Sequence, residues 1–194
     1  MFTRWGGFVY RRRRWLVALS FVVVAGLGSL AGGTAIHFDS QPRRLSMAET
    51  RHASATWSGN LTEGSGLLQY VSSGAFSRMP ITWDSRTAAH EGRTSPEELL
   101  AAAHASCYSM AFSNLLAKNG TIAERLDVRV DVTADKREAG WTVLSSAIKV
   151  SGVVPGIDAA TFARIAAEAK DGCPISRALA GNVELSVEPT LVES

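Results

Sequence analysis

Two cysteines, Cys107 and Cys173, are the side chains in this 194-residue sequence best suited to covalent or redox chemistry. They lie 66 residues apart, so the short Cys-x-x-Cys pattern of dithiol oxidoreductases is absent. Three interpretations are open. Either thiol can be a small buried hydrophobe, the two can form a structural disulfide if the body of the chain is exported, or they can act as a redox pair.

Cys107 lies within a stretch that predicts a long helix, from Ser95 to Gly120. Ser95 can cap the helix, Pro96 suits its first position, and Glu98 completes a capping box. Nearly every residue between the ends is small or apolar, and a helix that is apolar all round is a buried one. The stretch therefore predicts a buried central helix with a thiol in its middle.

Local physics favours Cys173 as the more reactive thiol. Cys173 precedes Pro174, which opens a short helix, and a helix N-terminus lowers the pKa of a thiol. Cys107 lies about 12 residues inside its helix, where the dipole effect has faded, and apolar burial raises the pKa of a thiol. A nucleophilic Cys107 therefore needs a cation from elsewhere.

The pattern around the central helix predicts an α+β fold with antiparallel sheets. Strands are predicted at 53–58, 65–72, 76–83, 125–133, 141–150 and 182–189, and a loop at 87–93. Pro80 indicates an edge strand or a bulge. A helix capped by Asp158 and ended by Gly172 precedes the short helix at Pro174. Strands segregated from a buried helix are typical of α+β proteins.

Charge is divided unequally along the chain. The first 46 residues hold seven arginines and one acid, whereas the remainder holds 13 basic and 17 acidic residues. A mildly acidic body without a basic stripe argues against nucleic-acid binding. Two cysteines are too few for a zinc site of their own, so neither a metal nor a cofactor is expected.

Residues 1–46 predict an N-terminal extension, and residues 47–194 a separate domain. An arginine run precedes an uncharged segment at 15–36, which suits a signal anchor or a signal peptide and places the body outside the membrane. Arg13-Arg14 also permits a twin-arginine signal. Alternatively, translation begins at Met47, and the upstream residues are a misassigned extension.

Two motifs resemble the OsmC/Ohr family of thiol peroxidases. They are S95-P-E-E-L-L-A-A-A-H-A-S-C-Y-S-M-A-F-S113 around the first cysteine, and V154-P-G-I-D158 with A169-K-D-G-C-P-I-S176 around the second. The resemblance covers roughly residues 53–192 and is closer to OsmC than to Ohr. It implies the OsmC-like fold, with a long buried central helix and an intertwined homodimer.

The resemblance also assigns roles, and it reverses the ranking of the thiols. It implies that Cys107 is the peroxidatic cysteine and Cys173 the resolving one, that Arg86 in W83-D-S-R86 supplies the cation, and that Glu97 pairs with it. Arg78 and Arg93 remain alternatives to Arg86, because the loop before Pro96 is slightly longer than the family pattern. His104, three residues before Cys107, is expected to be a satisfied buried or interface histidine rather than half of a Cys–His dyad.

The implied activity is reduction of organic hydroperoxides, and of hydrogen peroxide, through a Cys107 sulfenic acid and a Cys107–Cys173 disulfide. The implied partners are a second copy of the chain and an external dithiol, either a lipoylated protein or a small thiol. Because such donors are cytosolic, the expectation is a cytoplasmic protein that starts at Met47, with membrane anchoring through 15–36 as the alternative. The rival functional hypothesis is a non-catalytic, membrane-tethered OsmC-like binding or stress protein.

Overall fold

The computed structural model describes residues 48–88 and 92–192, which form two three-stranded sheets and four helices. The strands are β1 (Ala53–Ser58), β2 (Ser65–Val71), β3 (Ser77–Thr82), β4 (Arg125–Arg137), β5 (Gly140–Val153) and β6 (Glu184–Leu191). The helices are α1 (Asp84–Thr87), α2 (Pro96–Lys118), α3 (Ala159–Gly172) and α4 (Pro174–Leu179). This content confirms the predicted α+β class.

The predictions for the N-terminal extension, including the segment at 15–36 and a start at Met47, lie outside the described residues. Within residues 48–88 and 92–192, the helices are too short or too polar to cross a membrane.

The first sheet is an antiparallel meander in the order β1-β2-β3. Pro80 lies on β3, opposite Leu67 of β2. Because β3 is an edge strand, the missing N–H of Pro80 costs no ladder bond on the free side. The prediction of an edge strand from Pro80 is therefore confirmed.

The second sheet has the order β4-β5-β6 and corrects one feature of the predicted topology. Strands β4 and β5 form a long antiparallel hairpin whose turn reaches Gly140, with φ 109°. Strand β6, however, pairs with β5 in parallel, so the prediction of purely antiparallel sheets is wrong here. The physical reason is the connection, because α3 and α4 carry the chain back across the sheet as a crossover.

Helix α2 begins at the predicted cap, but the Glu98 carboxylate bonds Thr94 and not the Ser95 N–H that the predicted capping box requires. The Ser95 hydroxyl accepts a hydrogen bond from the Glu98 backbone N–H (3.2 Å). The Glu98 carboxylate accepts from the neighbouring Thr94 hydroxyl (3.1 Å). Helix α3 likewise begins at Asp158, whose carboxylate accepts from the Thr161 N–H (2.9 Å). Both caps stabilise the starts of α2, which carries Cys107, and of α3, which ends just before Cys173.

One stripe of α2 is buried, at four residues spaced by four: His104, Tyr108, Phe112 and Leu116. The second sheet, α3 and α4 cover this stripe, and Phe112 meets Phe162 of α3 edge-on with a ring distance of 5.1 Å. The opposite face is uncovered, and Met110 is 68% exposed. The prediction of a helix buried all round is therefore wrong for the single chain, because one chain covers only one side of α2.

Candidate active site

The two cysteines, far apart in sequence, are neighbours in the structure. Both are free thiols. Cys107 lies near the middle of α2, and the Cys173 thiol and the Ile175 backbone N–H both lie close enough to its thiol to change its pKa. The crossover through α3 and α4 therefore brings the second thiol to the first.

The two thiols differ in accessibility. Cys173 is fully buried, and its backbone is held by both adjoining helices. Its N–H donates to the Ala169 carbonyl (2.9 Å), and its carbonyl accepts from the Arg177 N–H (3.0 Å). Cys107 is only half-buried. A dissolved oxidant can therefore reach Cys107 first, which is the opposite of the order that local sequence reasoning favours.

The surroundings of Cys107 favour the protonated thiol. Burial raises the pKa of Cys107, and the adjacent Cys173 thiol raises it further. The Ile175 N–H acts in the other direction, because a hydrogen bond to the sulfur stabilises the thiolate. Among the described residues, no cationic group acts on this thiol. A nucleophilic Cys107 therefore requires a positive charge that this arrangement does not contain.

A second cluster, the guanidinium cluster, consists of Arg86, Glu97 and Trp141. Arg86 on α1 donates from Nε to Glu97 Oε1 (2.9 Å), and Trp141 on β5 donates from Nε1 to the same oxygen (3.2 Å). The side chains of Arg86 and Glu97 are 27% and 13% exposed, so the ion pair is screened less than a surface pair. The other oxygen of Glu97 is buried and has no hydrogen-bond partner among the described residues.

Two tryptophans flank the guanidinium group of Arg86. Its central carbon lies 6.0 Å from the Trp83 ring centroid and 5.8 Å from that of Trp141. Such cation–π contacts restrict the orientation of the guanidinium. Sequence reasoning missed Trp141, since a tryptophan at a hairpin end 44 residues after Glu97 gives no signal of its role.

The alternative arginines of this region have other surroundings. Arg93 donates to the Thr82 hydroxyl (3.3 Å), and Arg78 is exposed on β3 with φ 55°. Of these three arginines, Arg86 is the one that pairs with Glu97. The ion pair implied by the resemblance is thus present, whereas the role of Arg86 in chemistry remains a prediction.

The guanidinium cluster and the thiol pair are separate within one chain. Glu97 and Cys107 are ten residues apart on α2, or roughly 15 Å along the helix axis. A cavity of about 420 Å³ opens beside Arg86, Glu97 and Trp141, and neither cysteine lines it. Contacts within the described residues of one chain therefore do not bring the Arg86 cation to Cys107.

His104 lies one turn before Cys107 and is fully buried. Its Nδ1 is 2.8 Å from the Ser146 hydroxyl oxygen, and its Nε2 is 2.8 Å from that of Ser176. Both ring nitrogens are engaged by hydroxyls, so the expectation of a satisfied buried histidine is confirmed. Among residues 48–88 and 92–192, no three His, Cys, Asp or Glu side chains lie close enough to hold a metal ion together.

A half-buried thiol beside a fully buried second thiol is an arrangement that thiol–disulfide chemistry can use. The family model described as OsmC-like protein matches residues 89–188. Peroxiredoxin OsmC of Escherichia coli (strain K12) is 39% identical over 134 residues, which cover 69% of this chain and 92% of that protein. The chain belongs to the OsmC-like family.

More distant relatives agree with this assignment. The organic hydroperoxide resistance protein OhrA of Bacillus subtilis (strain 168) is 32% identical over 104 residues, covering 50% of this chain and 68% of that protein. The crystal structure of the organic hydroperoxide resistance protein OhrB of Bacillus subtilis superposes with a TM-score of 0.56 at 23% identity, covering 72% of this chain and 98% of the other. The second comparison shows the shared fold.

Proposed function

We propose that Cys107 and Cys173 reduce organic hydroperoxides as a peroxidatic and a resolving thiol. The chain is a thiol-dependent hydroperoxide reductase, as its membership of the OsmC-like family and its relatives named peroxiredoxin and organic hydroperoxide resistance protein support. The observation that carries the assignment of roles is the difference in burial. Cys107 is open to an oxidant, whereas Cys173 is buried beside it.

In the first step the Cys107 thiolate attacks the distal oxygen of the hydroperoxide. An S–O bond forms and the O–O bond breaks, so that Cys107 becomes a sulfenic acid. The two electrons reduce the peroxide, and the leaving alkoxide takes up a proton to become the alcohol. With hydrogen peroxide the leaving group becomes water.

In the second step the sulfur of Cys173 attacks the sulfur of the Cys107 sulfenic acid. The S–S bond forms, the S–O bond breaks, and the thiol proton leaves with the hydroxyl group as water. An external dithiol then reduces the disulfide by thiol–disulfide exchange and is itself oxidised. A lipoylated protein or a small thiol in the cytoplasm is the proposed donor.

The cation that Cys107 needs comes, in this proposal, from a second copy of the chain. Ala102 lies midway between Glu97 and Cys107 on α2, and both it and Ala103 are exposed. If two α2 helices pack antiparallel about a twofold axis near Ala102, Glu97 of each chain lies level with Cys107 of the partner subunit. Small residues at this point allow the helices to approach closely. The Arg86–Glu97 pair then faces the thiol of the other chain.

Other exposed apolar side chains support burial against a second copy. The uncovered face of α2 includes Met110, the first sheet exposes Trp57 and Tyr70, and Phe76 is exposed just before β3. Isolated apolar residues on a surface are ordinary, but a helix with an uncovered apolar face and a sheet with exposed aromatic residues are typical of an interface. We therefore propose a homodimer with two sites, each assembled from both chains.

Peroxide consumption with a dithiol donor tests the roles of the cysteines. Cys107→Ser removes the attacking sulfur and is expected to abolish turnover, a loss of about a thousandfold or more. Cys173→Ser leaves the first step intact, so one equivalent of peroxide is consumed and the sulfenic acid becomes trappable by dimedone. Normal turnover by Cys107→Ser contradicts the proposed function.

A further inference from the structure

A buried histidine joins three elements beside the thiol pair. The His104 ring on α2 bonds Ser146 on β5 through one nitrogen and Ser176 on α4 through the other, at 2.8 Å each. The ring and Ser146 are fully buried, and Ser176 is 2% exposed. Because water cannot easily replace either hydroxyl, the loss of one bond leaves a buried ring nitrogen unpaired.

The chemistry of the ring suits its two partners. Burial lowers the pKa of His104, so the ring stays neutral at physiological pH. A neutral imidazole donates from one nitrogen and accepts at the other, and a serine hydroxyl can do either. With both nitrogens engaged, His104 has no lone pair free to act as a base towards Cys107. Its position therefore indicates a holding role.

Two adjacent side-chain contacts connect α2 with the start of α4. His104 and Cys107 are three residues apart on α2, and Cys173 and Ser176 are three apart where α4 begins, so each pair shares one helix face. The contacts are His104 with Ser176 and Cys107 with Cys173. The hydrogen bond thus fixes the short segment that bears both the second thiol and the Ile175 N–H.

We propose that His104 is a positioning residue for the resolving step, and that its hydrogen bond to Ser176 holds the Cys173 sulfur in line with Cys107. The inference rests on the proposed function of the two cysteines. A disulfide requires the two Cβ atoms at about 3.5–4.5 Å and a Cβ–S–S–Cβ dihedral near 90°. A small displacement of α4 therefore slows attack by Cys173 while Cys107 stays open to peroxide.

A matched pair of variants distinguishes two roles of His104, holding α4 in place and only filling the core. Ser176→Ala removes the bond between His104 and α4, whereas Ser146→Ala removes the equivalent bond to β5 and leaves α4 held. Each variant deletes one buried hydroxyl and leaves one ring nitrogen unpaired. A purely structural role for His104 predicts similar effects of the two substitutions, whereas a positioning role predicts different ones.

The measurement is a single turnover with one equivalent of peroxide in the absence of reductant. Sulfenic acid is trapped with dimedone, and disulfide is followed by mass spectrometry under non-reducing conditions. In Ser176→Ala we expect disulfide formation to slow about tenfold or more, because misplacement by about 1 Å is enough for such losses. The rate of the first step, measured above the pKa of Cys107, should stay within about twofold of wild type. In Ser146→Ala the disulfide should form several-fold faster than in Ser176→Ala.

Ser176→Thr keeps a hydroxyl and is expected to restore most of the resolving rate. If Ser176→Ala does not fold, as judged by circular dichroism, His104→Asn carries the same test, because the shorter asparagine amide can reach Ser146 from about the position of Nδ1 but cannot reach Ser176. Equal disulfide rates in Ser176→Ala and Ser146→Ala would overturn the inference, provided that Cys107→Ser is inactive. Activity in Cys107→Ser would instead overturn the proposed function on which the inference rests.

Discussion

The thiol pair and the guanidinium cluster lie on the same helix, but one chain completes only the first. Cys107, Cys173 and the Ile175 N–H meet within one chain, because the crossover brings α4 against α2. Arg86 and Glu97 form their own ion pair near the start of α2, and Glu97 is ten residues, or about 15 Å along the helix axis, from Cys107. One chain therefore brings the two thiols together by itself, whereas the cation that we propose to activate Cys107 lies on a different part of its surface.

The thiol pair and its activating cation have different structural requirements. A thiol pair requires contact, which the fold of a single chain supplies. Activation of the thiolate requires a cation within about 4–6 Å, and the described chain supplies none at Cys107. Assembly of two chains can supply this cation without any change in the fold of either chain.

The largest effect is expected from mixing two inactive variants. Arg86→Ala should lower the rate of peroxide reduction by about a hundredfold, because it removes the cation that stabilises the thiolate. After subunit exchange with Cys107→Ser, about a quarter of the wild-type rate per chain should return, since about half of the dimers are mixed and each carries one complete site.

The control for mixing is Cys107→Ser combined with a chain that carries both substitutions, which should show no recovery. If Arg86 acts within its own chain, the mixture of single variants also stays inactive. That result would show that the second copy supplies no cation to the proposed site.

The next effect concerns the ionisation of Cys107. Burial already raises the pKa of this thiol, and Arg86→Met should raise it further, by about one unit or more, if the guanidinium of the partner subunit faces it. The pH dependence of alkylation by iodoacetamide in a Cys173→Ser background measures this shift. If Arg86→Met leaves the pH midpoint of alkylation unchanged, the Arg86 guanidinium does not act on the Cys107 thiol.

A smaller effect is expected at Trp141. Trp141→Phe keeps an aromatic ring beside Arg86 but removes the N–H that donates to Glu97, and we expect a loss of roughly three- to tenfold in peroxide reduction. Trp83→Phe is the matched control, because Trp83 also flanks Arg86 (6.0 Å) but, among the described residues, donates no hydrogen bond to Glu97. Equal losses in the two variants would contradict a special role for Trp141.

The smallest effect is on stability rather than on activity. Burial lowers the pKa of His104 below its unfolded value, so the unfolded state binds a proton more readily than the folded state. The free energy of unfolding should therefore be constant above about pH 6.5 and fall as pH decreases below it, by at most about 1.4 kcal/mol per unit. Urea unfolding at several pH values measures the slope.

Replacing the histidine should flatten this slope between pH 6.5 and 5. Hydrogen bonds from Arg129 and from the Thr161 N–H lower the pKa values of Asp131 and Asp158, so these carboxyls titrate at lower pH. The change in stability between pH 6.5 and 5 is therefore expected to come from histidine. If the pH dependence of the free energy of unfolding persists in His104→Gln, another titrating group causes it.

Local sequence patterns predicted most of the secondary structure, because caps, turns and alternation depend on residues close together in the chain. Ser95, Asp158 and Pro174 begin their helices as expected, and Pro80 lies on an edge strand. The parallel pairing of β6 was not predicted, since the register of strands joined by a crossover depends on how α3 and α4 pack.

The order of the residues indicated which of them can do chemistry: two cysteines, one inside a long helix and one before a short helix, and an arginine near an acid. Which of these residues are in contact depends on the tertiary structure. It placed Cys173 and the Ile175 N–H against Cys107, engaged both nitrogens of His104, and added Trp141 to the Arg86–Glu97 pair. Local propensities fix elements, whereas contacts between distant elements depend on packing of the whole chain. One face of α2 is uncovered in the single chain, and contacts of that face with a second chain likewise depend on packing.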